Sequence, residues 1–177
     1  MIMPFSRTEA PGELRKLEQL CNSARLLYTE DALITTTSAT AWLRANGVEV
    51  DDLSRKEHEL LLKLRETVRN HLAGQERASE LNKLAKILLA SPRWSENGEP
   101  VLPPKRTAPF DTYLGECLAL VFTSGLTGEL DRLKVCRNQD CRWVFYDRSP
   151  AQNSVWCSMD LCGARQKMRT YRSRHAR

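Results

Sequence analysis

Residues 136–177 read CRNQDCRWVFYDRSPAQNSVWCSMDLCGARQKMRTYRSRHAR, and they hold four of the six cysteines in a chain of 177 residues. The spacing is Cys136-x4-Cys141, fifteen intervening residues, then Cys157-x4-Cys162. Two close thiol pairs separated by a short insert are the arrangement of a structural zinc site: a tetrahedral ion takes four ligands from two chain segments, each bent by a tight turn. With four thiolates the site is closed, which leaves no position for catalysis. RWVFYD and SVWC alternate and are rich in β-branched and aromatic residues, so the sequence predicts that they pair as a hairpin across the turn RSPAQN. Ser158 is placed to cap a following helix, with Cys162 in its first turn. A module of about 45 residues buries too little apolar surface to fold alone, and a metal ordinarily makes up the deficit.

Charge is concentrated in the same segment. Residues 136–177 carry nine Lys/Arg against three Asp/Glu, a formal +6, whereas the preceding 135 residues carry eighteen against nineteen, −1. A near-neutral body with a basic end is the electrostatic mark of a polyanion partner, double-stranded DNA first among them. After Cys162 the chain runs GARQKMRTYRSRHAR, without an acid. On a helix Arg165, Arg169 and Arg172 share one face, with Lys167 and Arg174 on the other side. Ala164, Met168 and Tyr171 form a narrow apolar stripe that could dock this helix on the hairpin. Four ionised thiols around Zn2+ bring about −2, so the module's effective charge is nearer +4.

Upstream, the period is helical. Leu14, Leu17, Cys21, Ala24 and Tyr28 recur at three and four, which predicts an amphipathic helix over 13–28. Thr37 or Ser38 can cap a short helix carrying Trp42 and Leu43, with Gly47 at its exit. Ser54 and Glu57 have capping-box spacing ahead of Leu60, Leu61, Leu64, Val68 and Leu72, and Gly74 closes that helix. Another is expected from about Glu76 to Ala90, burying Leu81, Leu84, Leu88 and Leu89. Five prolines between Ser91 and Pro109 make the next stretch a loop, either a hinge or a strap. A last helix of the body carries Tyr113, Leu114, Cys117, Leu118, Val121 and Phe122 on one face. Cys21 and Cys117, each alone on an apolar face, read as small buried hydrophobes.

The fold class expected is therefore mainly α: a helical domain of four to five helices over 1–130, then a small four-cysteine module over 131–177 made of knuckle, β-hairpin and helix. No segment approaches the roughly 20 apolar residues that cross a bilayer. The N-terminal MIMPFSRTEAPGELRKLEQL lacks the apolar core and cleavage site of a signal peptide, so a cytoplasmic protein without a membrane partner is expected. No Ser/His/Asp grouping, phosphate loop or paired-carboxylate motif stands out, and no catalytic residue is assigned. Asn22, Ser23 and Arg25, polar positions at the end of an apolar helix, could hydrogen-bond a small-molecule effector; capping and solvating the helix end is the plainer use of them.

The C-terminal segment resembles the CGNR zinc-finger family, whose motif runs Cys-x4-Cys, Phe-x-Asp-x-Ser, Trp-Cys-Ser-Met and Cys-Gly-Asn-Arg. Phe145, Asp147 and Ser149 match its middle, Trp156, Cys157, Ser158 and Met159 the next part, and Cys162, Gly163 and Arg165 the signature. Ala164 stands where the signature has asparagine, and AQNSV precedes the Trp-Cys pair where the family tends to have arginines. Members usually carry an N-terminal helical domain called ABATE, labelled a stress-induced transcription regulator. Asn22, Ser23, Trp42 and Leu43 are similar to its opening, with Ser23 in place of a threonine. The resemblance implies a bacterial regulator with one structural Zn2+ on Cys136, Cys141, Cys157 and Cys162. The helical domain would sense a small ligand, and Arg165, Lys167, Arg169, Arg172 and Arg174 would contact DNA. The alternative is a small-molecule or protein-binding module whose finger is only structural. A homodimer is compatible with the weakness of one module on DNA, although no heptad supports it.

Overall fold

In the computed structural model, which describes residues 7–75 and 78–175, six α-helices and three two-stranded hairpins follow one another. Helix α1 is Leu14–Asn22, α2 is Thr36–Ala45, α3 is Arg55–Leu72, α4 is Ala78–Leu88, α5 is Pro109–Thr127 and α6 is Ala164–His175. The hairpins pair β1 (Ala24–Arg25) with β2 (Glu30–Asp31), β3 (Arg93–Trp94) with β4 (Pro100–Val101), and β5 (Leu133–Val135) with β6 (Val144–Tyr146). The fold is mainly α with a small C-terminal module, as the helical periods predict. No helix among the described residues is long and apolar enough to cross a membrane.

Helix α3 forms where its pattern says it should. Ser54 Oγ accepts the amide of Glu57, and the Glu57 carboxylate takes the Ser54 amide in return, so two of the four free N-terminal donors are satisfied. Leu61, Leu64 and Val68 are fully buried, and they pack with Leu17 and Leu20 of α1 and Leu114 of α5 in one core. Each such side chain contributes about 1.5–3 kcal/mol by leaving water. The α4 helix buries Leu84 and Leu88 and is described from Ala78; the expected start at Glu76 lies outside the described residues.

Three local readings are corrected, and the choice left open for the proline-rich stretch is decided. The first helix stops at Asn22 rather than running to Tyr28. Ser23 turns its hydroxyl back to Leu20 O (2.7 Å), and β1 pairs with β2 across a turn with Thr29 at φ 55°. The cap of α2 is Thr35, and Ser38 is its reciprocal partner three residues on. Phe122 does not join the α5 face; it is 57% exposed. The proline-rich stretch is a strap that carries the β3–β4 hairpin. Ala90 N donates to Pro103 O (2.9 Å) and Lys105 N to Leu88 O (2.8 Å), tying the strap to the end of α4. It crosses α5 at Gly115, where a Cβ would stand 2.7 Å from Pro104 Cβ. Only glycine lets strap and helix approach that closely.

The sequence also leaves a buried charge cluster unforeseen. Arg65 and Arg69 lie one turn apart within the apolar stripe of α3, 5% and 1% exposed. Arg65 makes a bidentate pair with Asp31 (2.7 and 2.8 Å), and Arg69 pairs with Glu66 and donates to the carbonyl of Cys21. Burial opposes the charge of Asp31, but the fork of Arg65 outweighs it and holds the carboxyl below its ordinary range. The pair ties β2 to α3, and Arg65 also donates to Ser23 just past the end of α1.

Candidate metal centre

The four cysteines that the spacing selects come together. Their sulfurs all lie within 4.8 Å of one another, and all four residues are buried. Cys141 and Cys157 sulfurs are 3.7 Å apart, and Cys157 and Cys162 3.6 Å. A tetrahedral ion with zinc–sulfur bonds of about 2.3 Å requires sulfur–sulfur edges of about 3.8 Å. The cluster therefore fits one zinc ion. Electrostatics point the same way. In the cluster itself, donation from Cys141 and Cys157 draws the Cys136 thiol far below its ordinary value, and that same sharing pushes Cys141 and Cys157 up. Four negative sulfurs this close repel one another, so their full ionisation requires a cation among them. Cys21 and Cys117 behave differently: burial pushes each thiol up to about 12, as befits small core residues.

Local structure explains each ligand's position. The first knuckle folds because Cys141 N and Arg142 N both donate to Asn138 O (2.9 and 3.0 Å), with Arg142 at φ 49°. Asn138 also turns its amide toward Cys162 Sγ at 3.8 Å. The second pair is set by Ser158. Its hydroxyl accepts Leu161 N (3.2 Å) and its carbonyl accepts Cys162 N (3.0 Å), so Met159–Gly163 forms a wide turn that places Cys162 and leads directly into α6. Phe145 is fully buried against the four cysteines, with Leu27, Trp143, Trp156 and Leu161 around it.

The hairpin is not the predicted one. Val144–Tyr146 pairs with Leu133–Val135, upstream of the first cysteine, and the knuckle is the loop between them. Residues 154–157 form no strand; one bond, Arg137 N to Val155 O at 2.9 Å, ties them alongside. Asp147 explains this. Its buried carboxylate accepts Ser149 N, Ser154 N, Ser154 Oγ and Lys134 Nζ at 2.9–3.1 Å. Burial would raise its pKa, but the donors of Ser149 and Ser154 outweigh that and hold it well below the usual carboxylate range. The loop closes around a carboxylate instead of extending into a ladder.

The module is docked on the body. Leu133 and Val144 belong to the main apolar core. Asn22 donates its amide to Val144 O and accepts Val144 N, both at 2.8 Å. Arg7, which the sequence does not single out, donates to the carbonyls of Cys157 and Trp156 (both 3.0 Å) and lies 4.4 Å above the Phe145 ring. Ser23 is engaged within the body by Leu20 O and Arg65.

Arg165, Lys167, Arg169, Arg172 and Arg174 all stand exposed on α6. Only Arg169 meets a carboxylate among the described residues, Asp140 at 3.3 Å. The apolar stripe does not dock this helix: Met168 and Tyr171 are 53% and 58% exposed and Ala164 is exposed. Gln166 and Thr170 are half-buried on this helix.

Residues 132–175 match the family model of the CGNR zinc finger. The match begins at the residue before β5, so it takes in the hairpin that the cysteine spacing alone does not reveal. No curated protein matches the chain.

Proposed function

We propose that this protein is a DNA-binding transcriptional regulator of the cytoplasm, with an ABATE-type helical sensor domain and a zinc-stabilised finger that presents α6 to double-stranded DNA. The observation that carries the reading is α6 itself. It leaves the metal site at Cys162 without a linker, none of its residues is buried, and four of its five assigned cations have no acidic partner among the described residues. Twelve helical residues span about 18 Å, enough to lie along a groove. The role of the metal is structural, since an ion on four cysteines offers no open position, and no catalysis is proposed.

Gel-shift titration of double-stranded DNA tests this. If four or five of Arg165, Lys167, Arg169, Arg172 and Arg174 neutralise phosphates, log affinity falls with log salt at a slope of about −4. The Arg165/Arg169/Arg172→Ala variant loses binding while keeping its zinc. Absence of binding at low salt overturns the reading. That result would leave the second one, a binding module with a purely structural finger, which the Ala164 departure from the signature favours.

A further inference from the structure

At the seam between body and finger lies a half-open cleft of about 320 Å3, with Arg7, Glu18, Asn22, Arg25, Trp42 and Trp143 in its wall. That volume is at the small end of ligand sites, which run from about 300 to 1,000 Å3. The cleft contains all three polar residues that the sequence offers for an effector, but they are not equivalent. Asn22 is committed to Val144, and Ser23 to Leu20 and Arg65. Arg25 is only half used. Its Nη1 donates to Glu30 at 2.7 Å and the guanidinium lies 5.0 Å above the Tyr28 ring; Nε and Nη2 have no partner among the described residues. Arg7 is alike: Nε and Nη2 hold the finger's carbonyls, Nη1 has no partner, and no carboxylate pairs with it among the described residues.

The acids of the wall are engaged elsewhere. Glu18 is buried, with Oε2 accepting the Ala10 amide at 2.5 Å. Glu9, largely exposed, reaches Arg15 at 3.6 Å. Two partly unused guanidinium forks and two indoles thus line one small space. The forks match a carboxylate, and the indoles supply apolar surface for a flat ring.

We infer that this cleft binds a small aromatic carboxylate, its carboxylate on the unused donors of Arg25 and Arg7 and its ring against Trp42 and Trp143. The inference rests on the reading of the helical body as a sensor and names the class of effector it would sense. It also puts the ligand beside Arg7 and Cys157, where body meets metal site.

The test uses the zinc-loaded full chain without DNA, so its outcome is independent of the gel shifts. Salicylate and indole-3-acetate are titrated while tryptophan fluorescence and heat of binding are followed, with benzyl alcohol and benzylamine as uncharged and cationic controls. One or both acids should saturate at one per chain, at least about tenfold tighter than either control. Arg25→Gln should weaken binding by about tenfold or more with melting temperature and zinc content unchanged, and Arg25→Lys should restore part of it. The inference is overturned if neither acid saturates, if benzylamine binds as tightly, or if well-folded Arg25→Gln binds as wild type does.

Discussion

In helices α3 and α5 the interior is built from leucines, valines, Phe110, Tyr113 and Cys117, none of which needs a partner outside the chain. In the C-terminal module the sealed interior is four cysteines and Phe145. The first arrangement is cohesive chiefly through apolar area, with the Arg65 and Arg69 pairs closed within the chain. The second becomes so once four sulfurs share a charge that none of the surrounding side chains supplies, and through a seam made by Asn22, Arg7 and the shared core at Leu133 and Val144. One interior is thus tested by steric and apolar changes, the other by metal and polar ones.

The largest effect expected is metal removal. Zinc contributes on the order of 10 kcal/mol to small fingers. A strong chelator should therefore abolish amide-exchange protection over residues 136–162 while α3 and α5 stay protected, with the body's melting temperature lowered by the loss of Val144. Simultaneous loss in both regions would show that the interiors are not distinct. Next comes Gly115→Ala, which sets a methyl 2.7 Å from Pro104 and 3.0 Å from Leu88 O. Overpacking of this kind costs about 1–3 kcal/mol; chemical denaturation should show it with zinc stoichiometry intact.

Asp147→Asn should cost about 2 kcal/mol by stranding Lys134 and the Ser149 and Ser154 donors. The sign with pH follows from the lowered carboxyl. Its stabilisation is fully present above the ordinary carboxylate range and is lost as pH falls through the folded value. Wild type and variant should therefore differ most at neutral pH and converge in strong acid, as denaturation at several pH values would show. Asn22→Ala, which removes both bonds to Val144, should cost about 1–3 kcal/mol and raise amide exchange in β6 before it affects α5. The smallest change is Arg172→Ala: exposed and without a partner among the described residues, it should alter stability by less than about 0.5 kcal/mol in a thermal melt.

Legibility in sequence followed the same division. The capping box at Ser54 and the leucine stripe of α3 were readable because both depend on neighbours within one turn. The four zinc ligands were readable because spacing alone states the chemistry. What the sequence hid was long-range. The partner of Val144–Tyr146 lies at Leu133–Val135, outside the cysteine frame, and the carboxylate of Asp147 closes the loop that alternation presented as a strand. Arg65 and Arg69 were invisible as core residues because their acids sit on another turn or another element. The α6 stripe failed too: Met168 stays exposed, and Tyr171 stacks on His175 of its own helix instead of docking on the hairpin.

Cobalt substitution of the purified chain addresses the metal centre most directly. One cobalt ion per chain, with the intense visible absorption of a tetrahedral four-thiolate site and loss of that spectrum in Cys157→Ala, is the predicted result. Weak octahedral absorption, or an unchanged spectrum in Cys157→Ala, would contradict it.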